Sequence, residues 1–228
     1  MNKRLLEEFY KLIPEEKGQL FDSIAADRTR YLTVLLEDIF QEHNASAVLR
    51  SCDCFGIQEL HVIESKNQYK VQRDIARGAG KWVDLFNYNE GDSPLMDAVN
   101  KLKTKGYKIA TLTPDADAYS IFDVPLDQPL ALSFGTEWEG ISDEIREVAD
   151  YKVAIPMYGF TESFNVSVSV ALTLQALRRR LEESENNWKL SDDEIDQIKL
   201  KWCQKYMRNG TIVKRELEKR ISAELNEK

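Results

Sequence analysis

Cysteine and histidine are almost missing from this sequence. Cys52, Cys54 and Cys203, with His43 and His61, are the full set in 228 residues. So few, so scattered, they form neither a zinc-ligand spacing nor a paired disulfide framework. No metal is expected, and the scarcity fits a reducing cytoplasm. Long apolar runs are missing too; none approaches the ~18 residues of a membrane span. The opening stretch MNKRLLEEFYKLIPEEK scatters charge through its apolar positions. That is not the pattern of a secretory leader, so a cytoplasmic protein away from membranes is expected. Positive charge is in deficit, with a net charge of −8. This argues against a uniformly basic nucleic-acid binder. Averages hide patches, however: between Lys199 and Arg220, lysine and arginine outnumber glutamate eight to two.

Hydrophobic residues make up 43% of the chain, enough for a sizeable core. Residues 3–27 carry Leu5, Leu6, Phe9, Leu12 and Ile13 at helical spacing, with Pro14 as a break. YLTVLLEDI (31–39) reads as a buried strand. Asn44 is placed to cap the next helix and Gly56 to end it. IQELHVIE (57–64), WVDLFNY (82–88), YKIATLT (107–113), PLALSFG (129–135) and YKVAIPM (151–157) read as further strands. Helices are expected at 69–80, closed by glycines, at 93–106 with Pro94 in the first turn, and at 141–149. Strands alternating with helices imply parallel βαβ units, hence an α/β sheet covered on both faces. After Leu181 the chain turns polar, and a new helix starts at Ser191. The expected layout is a helical N-terminal extension (1–27), an α/β body (28–183) and a helical C-terminal extension (184–228).

Three loops look like more than connections. In HNASAVLRSCD, Ala45, Val48, Cys52 and Phe55 form an apolar helix face, with Ser46, Arg50 and Asp53 opposite. Small and apolar neighbours predict partial burial of Arg50. It either pairs with Asp53 and covers the sheet, or aims its planar fork at a phosphate or carboxylate. In SFGTEWEGIS, a strand ends in Gly135, and Glu137 and Gly140 precede a helix start. Glycines there allow close backbone approach, although a plain βα turn reads the same way. In IPMYGFTESFNVSV, Ser163 and Asn165 precede an apolar run; Asn165 is either a simple N-cap or an amide facing a ligand. The run itself is ambiguous. VSVSVALTL (166–174) alternates like a strand, yet Val166, Val170, Leu174 and Leu177 keep helical spacing. Its continuation into Arg178–Arg180 without a turn residue favours a helix beginning near Asn165.

The stretches HNASAVLRSCDCFGIQELHVIE, LSFGTEWEGIS and IPMYGFTESFNVSVSVALTL, in that order, resemble the three signature motifs of the SpoU (TrmH) family of RNA ribose 2′-O-methyltransferases, in the SPOUT superfamily. Phe164 stands where the family commonly has leucine. The resemblance implies a parallel-sheet body with a C-terminal trefoil knot, S-adenosylmethionine as cofactor, a homodimer and a site at the subunit interface. It implies Asn44, Arg50, Glu137, Ser163 and Asn165 as catalytic residues. Leu112, Thr113, Gly135, Gly140, Ile155, Met157 and Ser163 would contact the cofactor. The helical extensions resemble those of members that methylate guanosine 18 in the tRNA D-loop.

A tRNA substrate needs local cations. Candidate stripes are Lys201, Lys205 and Arg208 beside an Ile198, Trp202 and Tyr206 face; Arg73, Arg77 and Lys81; and Arg28 with Arg30. His43 adjoins the first motif. The same charges could equally form solvated faces. Other readings are the same chemistry on ribosomal RNA or another tRNA position, and an RNA-binding member without catalysis. A dinucleotide-binding enzyme is disfavoured, because IFQEHNASA, not G-x-G-x-x-G, follows the first strand.

Overall fold

The computed structural model of the chain describes residues 2–136 and 139–226. It divides into two compact units, Thr29–Trp188 and the combination of Met1–Arg28 with Lys189–Lys228.

In chain order the elements are α1 (Asn2–Tyr10), α2 (Glu15–Ala26), β1 (Leu32–Glu37), α3 (Glu42–Cys54), β2 (Glu59–Ile63), α4 (Arg73–Ala76) and a 3-10 turn at Ala79–Lys81. Then follow β3 (Asp84–Tyr88), α5 (Pro94–Thr104), β4 (Lys108–Leu112), β5 (Tyr119–Ser120), β6 (Leu130–Phe134), α6 (Asp143–Val148), β7 (Tyr151–Ala154), α7 (Val166–Glu182), α8 (Asp192–Tyr206) and α9 (Gly210–Asn226). The strands of the first unit form one sheet in the order β3-β2-β1-β6-β4-β7-β5, and every neighbouring pair is parallel. The α/β expectation holds.

β1 shows why. All six of its residues are buried. Leu32, Val34 and Leu36 enter the larger core with Val48 and Cys52 of α3 and Val170 and Leu174 of α7. Leu35 points to the opposite face, into a second core with Leu95, Val99 and Leu102 of α5 and Ile145 of α6. A strand apolar on both faces can sit only between two helical layers. Each fully buried leucine contributes roughly 1.5–3 kcal/mol by removal from water.

Two expectations shift, one short strand was not foreseen, and one ambiguity resolves as expected. The helix expected over 69–80 shrinks to α4, because Arg77 and Gly78 both turn to positive φ, 50° and 86°. Asn44 does not cap α3; Gln41 precedes the helix, and Asn44 lies in its first turn. β5 has only two residues and carries no periodic signal. The ambiguous run 166–174 is helical, within α7.

A buried charge cluster braces the start of β2. Glu59 accepts from Arg30 Nε at 2.9 Å and Lys105 Nζ at 3.0 Å. His61 Nε2 lies 3.4 Å from its carboxylate, and His61 Nδ1 lies 2.9 Å from the Tyr88 hydroxyl. Burial pushes the Glu59 carboxyl up, but His61, Lys105 and Arg30 outweigh it and hold it at about 2, against an ordinary 4.5. The depressed value means that stability is fully present above pH 4.5 and is lost as pH falls towards about 2. Over that window, urea unfolding should lose on the order of 3 kcal/mol from this group alone. Glu59→Gln should flatten that segment of the stability–pH curve; an unchanged curve would remove Glu59 as its source.

The second unit is all-helical. Phe21 of α2 packs on Trp202 of α8 with ring centroids 5.6 Å apart, and meets Tyr206 edge-on at 6.2 Å. Leu5, Leu6 and Phe9 of α1 are buried. Ser191 caps α8 in a reciprocal box with Glu194.

Candidate active site

Because the sheet is parallel, the loops following β1, β6 and β7 all leave its C-terminal edge. In the sheet these strands stand as β1-β6-β4-β7, with only β4 interposed. Ligands of open α/β sheets bind outside this edge. The three loops singled out in the sequence are these loops.

The first and third meet directly. Asn165 caps α7: its Oδ1 accepts from Ser167 N at 2.9 Å and from Ser167 Oγ at 2.6 Å. With its oxygen so fixed, its Nδ2 donates to Asn44 Oδ1 at 3.1 Å. Asn44 is 2% exposed, and its own Nδ2 donates to Gln41 Oε1 at 3.1 Å. One asparagine amide thus closes a helix and ties together segments 121 residues apart. Asn165→Ala removes the cap and leaves the buried Asn44 oxygen short of a donor, a loss of about 2 kcal/mol. The melting midpoint should fall by roughly 4–8 °C. Asn165→Ser, which retains the cap alone, should recover about half; full recovery would mean that the bridge to Asn44 carries no weight.

The second loop is held by its own backbone. Thr136 and Gly140 exchange two hydrogen bonds, at 3.0 and 3.1 Å, and Glu139 N donates to Thr136 Oγ1 at 2.9 Å. Ser142 caps α6, and its N–H donates to Glu37 Oε2 at 3.2 Å. Burial pushes the Glu37 carboxyl up, with Ser142 opposing. Gly135 has no room for a side chain: a Cβ there would lie 1.9 Å from the Gly140 carbonyl oxygen. Glu137 lies outside the described residues.

Two concavities open on this edge. The larger, about 480 Å³, sits where strand order reverses between β1 and β6. Glu37, Asp38, Glu64, Glu139 and Glu144 line it, so it is hostile to an anionic ligand. The smaller, about 110 Å³, lies beyond β4 and β7. Its walls are Leu112, Val153, Ile155 and Met157, with Thr113, Ser163 and Ser169 supplying hydroxyls and Glu162 a carboxylate. Five of the residues expected at a cofactor gather here: Leu112, Thr113, Ile155, Met157 and Ser163. Gly135 and Gly140 do not line this cleft; they pack on each other instead. Sequence reasoning passed over Val153, Glu162, Phe164 and Ser169, although three of them lie within the third motif.

Arg50 corrects an expectation. It is exposed rather than partly buried, and no hydrogen bond or ion pair among the described residues engages it. It stands six residues beyond Asn44, on the order of 9 Å along the helix axis. Ser46, expected on the same face, is fully buried.

The cationic stripes also sort themselves. Arg73, Arg77, Lys81, His43, Lys201, Lys205 and Arg208 are exposed. Arg208 falls in the turn after α8, not on a continuous helical stripe, because Met207 leaves the helix with φ −81° and ψ 140°. Arg28 is withdrawn from the candidate RNA surface: it is 2% exposed, with its guanidinium 5.4 Å from the Trp202 ring. Arg30 is held by Glu59 and Asp84. Among the described residues no group of ligand side chains could hold a metal ion, and no helix is long and apolar enough to cross a membrane.

Comparison with known proteins agrees with the three-loop arrangement. Residues 31–175 match the SpoU rRNA Methylase family. The tRNA (guanosine(18)-2′-O)-methyltransferase of Borreliella burgdorferi is 36% identical over 199 residues, covering 87% of this chain and 89% of that one. The protein of the same description from Aquifex aeolicus is 31% identical, covering 84% and 90%. The crystal structure of the A. aeolicus TrmH/SpoU tRNA modifying enzyme superimposes with a TM-score of 0.73 at 30% identity, covering 83% of this chain and 95% of that one. The chain belongs to the SpoU rRNA methylase family.

Proposed function

We propose that this protein is an enzyme that uses S-adenosylmethionine to methylate the ribose 2′-hydroxyl of guanosine 18 in tRNA. The observation that carries the reading is the Asn44–Asn165 bond, which joins the first and third motifs beside the cleft beyond β4 and β7. The names of the relatives supply the substrate.

The lining of the cleft suits the adenosine end of the cofactor. Leu112, Val153, Ile155 and Met157 offer an apolar slot for a purine; the hydroxyls of Thr113, Ser163 and Ser169 suit its ribose, and Glu162 suits a cation. When bound, S-adenosylmethionine supplies an electrophilic methyl group. The chain must then fix the ribose and stabilise the oxygen as it loses its proton. A guanidinium with a pKa above about 12 is a poor base. Arg50 therefore acts as a clamp: its fork grips the phosphate beside the target ribose, stabilises charge growing on the 2′-oxygen and relays the 2′-hydroxyl proton to that phosphate and on to solvent. Asn44 and Asn165 hold the first and third loops in register. Ser163 orients the cofactor.

An exposed Arg50 needs a second surface. α3 packs on α7, whose Val168 and Leu172 face solvent at 43% and 38% exposure, with Phe164 exposed at 41% in the loop just ahead of the helix. We assign this stripe to a homodimer interface that brings one subunit's Arg50 to its partner's cleft. Residues 28–183 form the methyltransferase body with its C-terminal knot, and 1–27 and 184–228 are helical extensions. RNA would contact His43, Arg73, Arg77, Lys81, Lys201, Lys205 and Arg208. We assign the protein to the cytoplasm, in keeping with a tRNA substrate.

The test is methyl transfer to unmodified tRNA transcript, with the modified ribose mapped. Label at guanosine 18, lost when that nucleoside is replaced, is the expected result. Label on ribosomal RNA or another tRNA position would redirect the substrate. Cofactor binding without transfer to any RNA would leave an RNA-binding protein.

A further inference from the structure

Residues 65–72 leave β2 without regular structure, yet their backbone is held at four points. The N–H groups of Lys66 and Asn67 donate to Asp38 Oδ1 at 2.6 and 3.1 Å. The N–H of Tyr69 donates to Glu64 Oε1 at 2.6 Å, and that of Gln72 to Ser46 Oγ at 2.7 Å. Such a loop is ordinarily mobile. Here two of its anchors come from α3 itself. Ser46 Oγ, fully buried, also donates to Glu42 O at 2.6 Å. The Tyr69 hydroxyl donates to Ala45 O at 2.9 Å, and the residue is 8% exposed. Burial pushes this phenol up, so it keeps its proton at any physiological pH. Ala45 and Ser46 directly follow Asn44 in the chain.

The anchored loop delivers a cationic arc. Arg73, Arg77 and Lys81 recur every four residues and are exposed, while Ala76 and Ala79 beneath them enter the core. Lys70 is exposed just ahead of them. Among the described residues, none of these four charged groups has an ion pair or a side-chain hydrogen bond. In a chain of net charge −8, four cations against the single Asp74 between residues 70 and 81 are out of character. Arg77 also ends α4 at φ 50°, a left-handed conformation that glycine or asparagine adopts at lower cost. Strain of this kind persists where the side chain has a use.

We propose that the arc from Lys70 to Lys81 is a phosphate track for the RNA substrate, and that Ser46 and Tyr69 are positioning residues that lock it to α3 at a fixed distance from Asn44. This rests on the RNA-methylating reading. Its chemistry is that of a sugar–phosphate backbone meeting a row of cations.

The test uses the full-length protein carrying Arg77→Gly or Tyr69→Phe. Arg77→Gly relieves the strained backbone and removes one charge. It should raise the tRNA KM about five-fold and lower the slope of log affinity against log salt by about one, without loss of thermal stability. Tyr69→Phe keeps the arc's charge but frees its anchor. It should raise the tRNA KM about three-fold, with kcat within two-fold and cofactor affinity unchanged. An unchanged salt slope in Arg77→Gly would overturn the track, and a lower kcat at unchanged KM in Tyr69→Phe would overturn the lock. Salt-dependent binding of bulk tRNA reads the arc without catalysis. A protein that binds tRNA through the arc but methylates none would therefore fail the functional reading and not this one.

Discussion

Arg50→Lys is expected to slow methyl transfer at saturating tRNA about 100-fold, the usual cost of losing one transition-state donor, while tRNA affinity stays within about two-fold. Lysine keeps the positive charge, so attraction to phosphate survives. What it loses is the planar fork, which can hold a phosphate oxygen and face the reacting 2′-oxygen at once; an ammonium is a point charge on a flexible stem. The exposure of Arg50 makes the comparison clean, because no described residue loses a partner when its head group changes. Single-turnover rates with pre-bound tRNA would isolate the chemical step from binding. Near-wild-type turnover would show that fork geometry is irrelevant and that the clamp assignment is wrong.

The second large effect is expected at Gly135. A Cβ added there meets the Gly140 carbonyl oxygen at 1.9 Å, its carbon at 2.3 Å and Ile141 N at 2.6 Å. All three are backbone atoms, so no rotamer change relieves the clash. Gly135→Ala must break the paired hydrogen bonds between Thr136 and Gly140, and with them the second loop. Activity should fall below about 1% and stability by about 3 kcal/mol, as for other severe overpacking. Gly140→Ala is the control. Nothing lies within 4 Å of its added Cβ, but its φ is +68°. Conformational strain alone should cost on the order of 1 kcal/mol, with most activity kept. If Gly140→Ala is as damaging as Gly135→Ala, backbone conformation and not space governs this loop.

The sheet was legible because its inner strands β1, β2 and β6 are buried along their whole length and several helices carry caps. Ser93, Ser142 and Ser191 each stand where their helices begin. α7 shows how a period can mislead. Its alternation arises because Val168 and Leu172 are apolar but exposed, while Val166, Val170 and Leu174 are buried. An outward apolar stripe laid over a buried one mimics a strand; the helical spacing of Val166, Val170, Leu174 and Leu177, the cap at Asn165 and the absence of a turn argued for a helix. Asn44 was found by motif but misread by local rules. It is used across 121 residues of chain, and no local pattern carries that information. The pinned segment 65–72 was unreadable for the same reason, since its partners Asp38 and Ser46 lie in other elements. The cofactor residues split by kind. Of the residues expected at a cofactor, Leu112, Thr113, Ile155, Met157 and Ser163 line the cleft, whereas the glycines shape a neighbouring turn.

The helical unit draws on segments from either side of the sheet: α1 and α2 are made before it, and their companions α8 and α9 after it. During synthesis the apolar face of α1, with Leu5, Leu6 and Phe9, has no partner until residues beyond Lys189 emerge. At about 5–20 residues per second that interval lasts roughly 10–35 s. The intervening sheet is complete before then. The body can therefore complete its sheet before the unit whose first half preceded it, with the apolar face of α1 left uncovered by α8 and α9 in the interval.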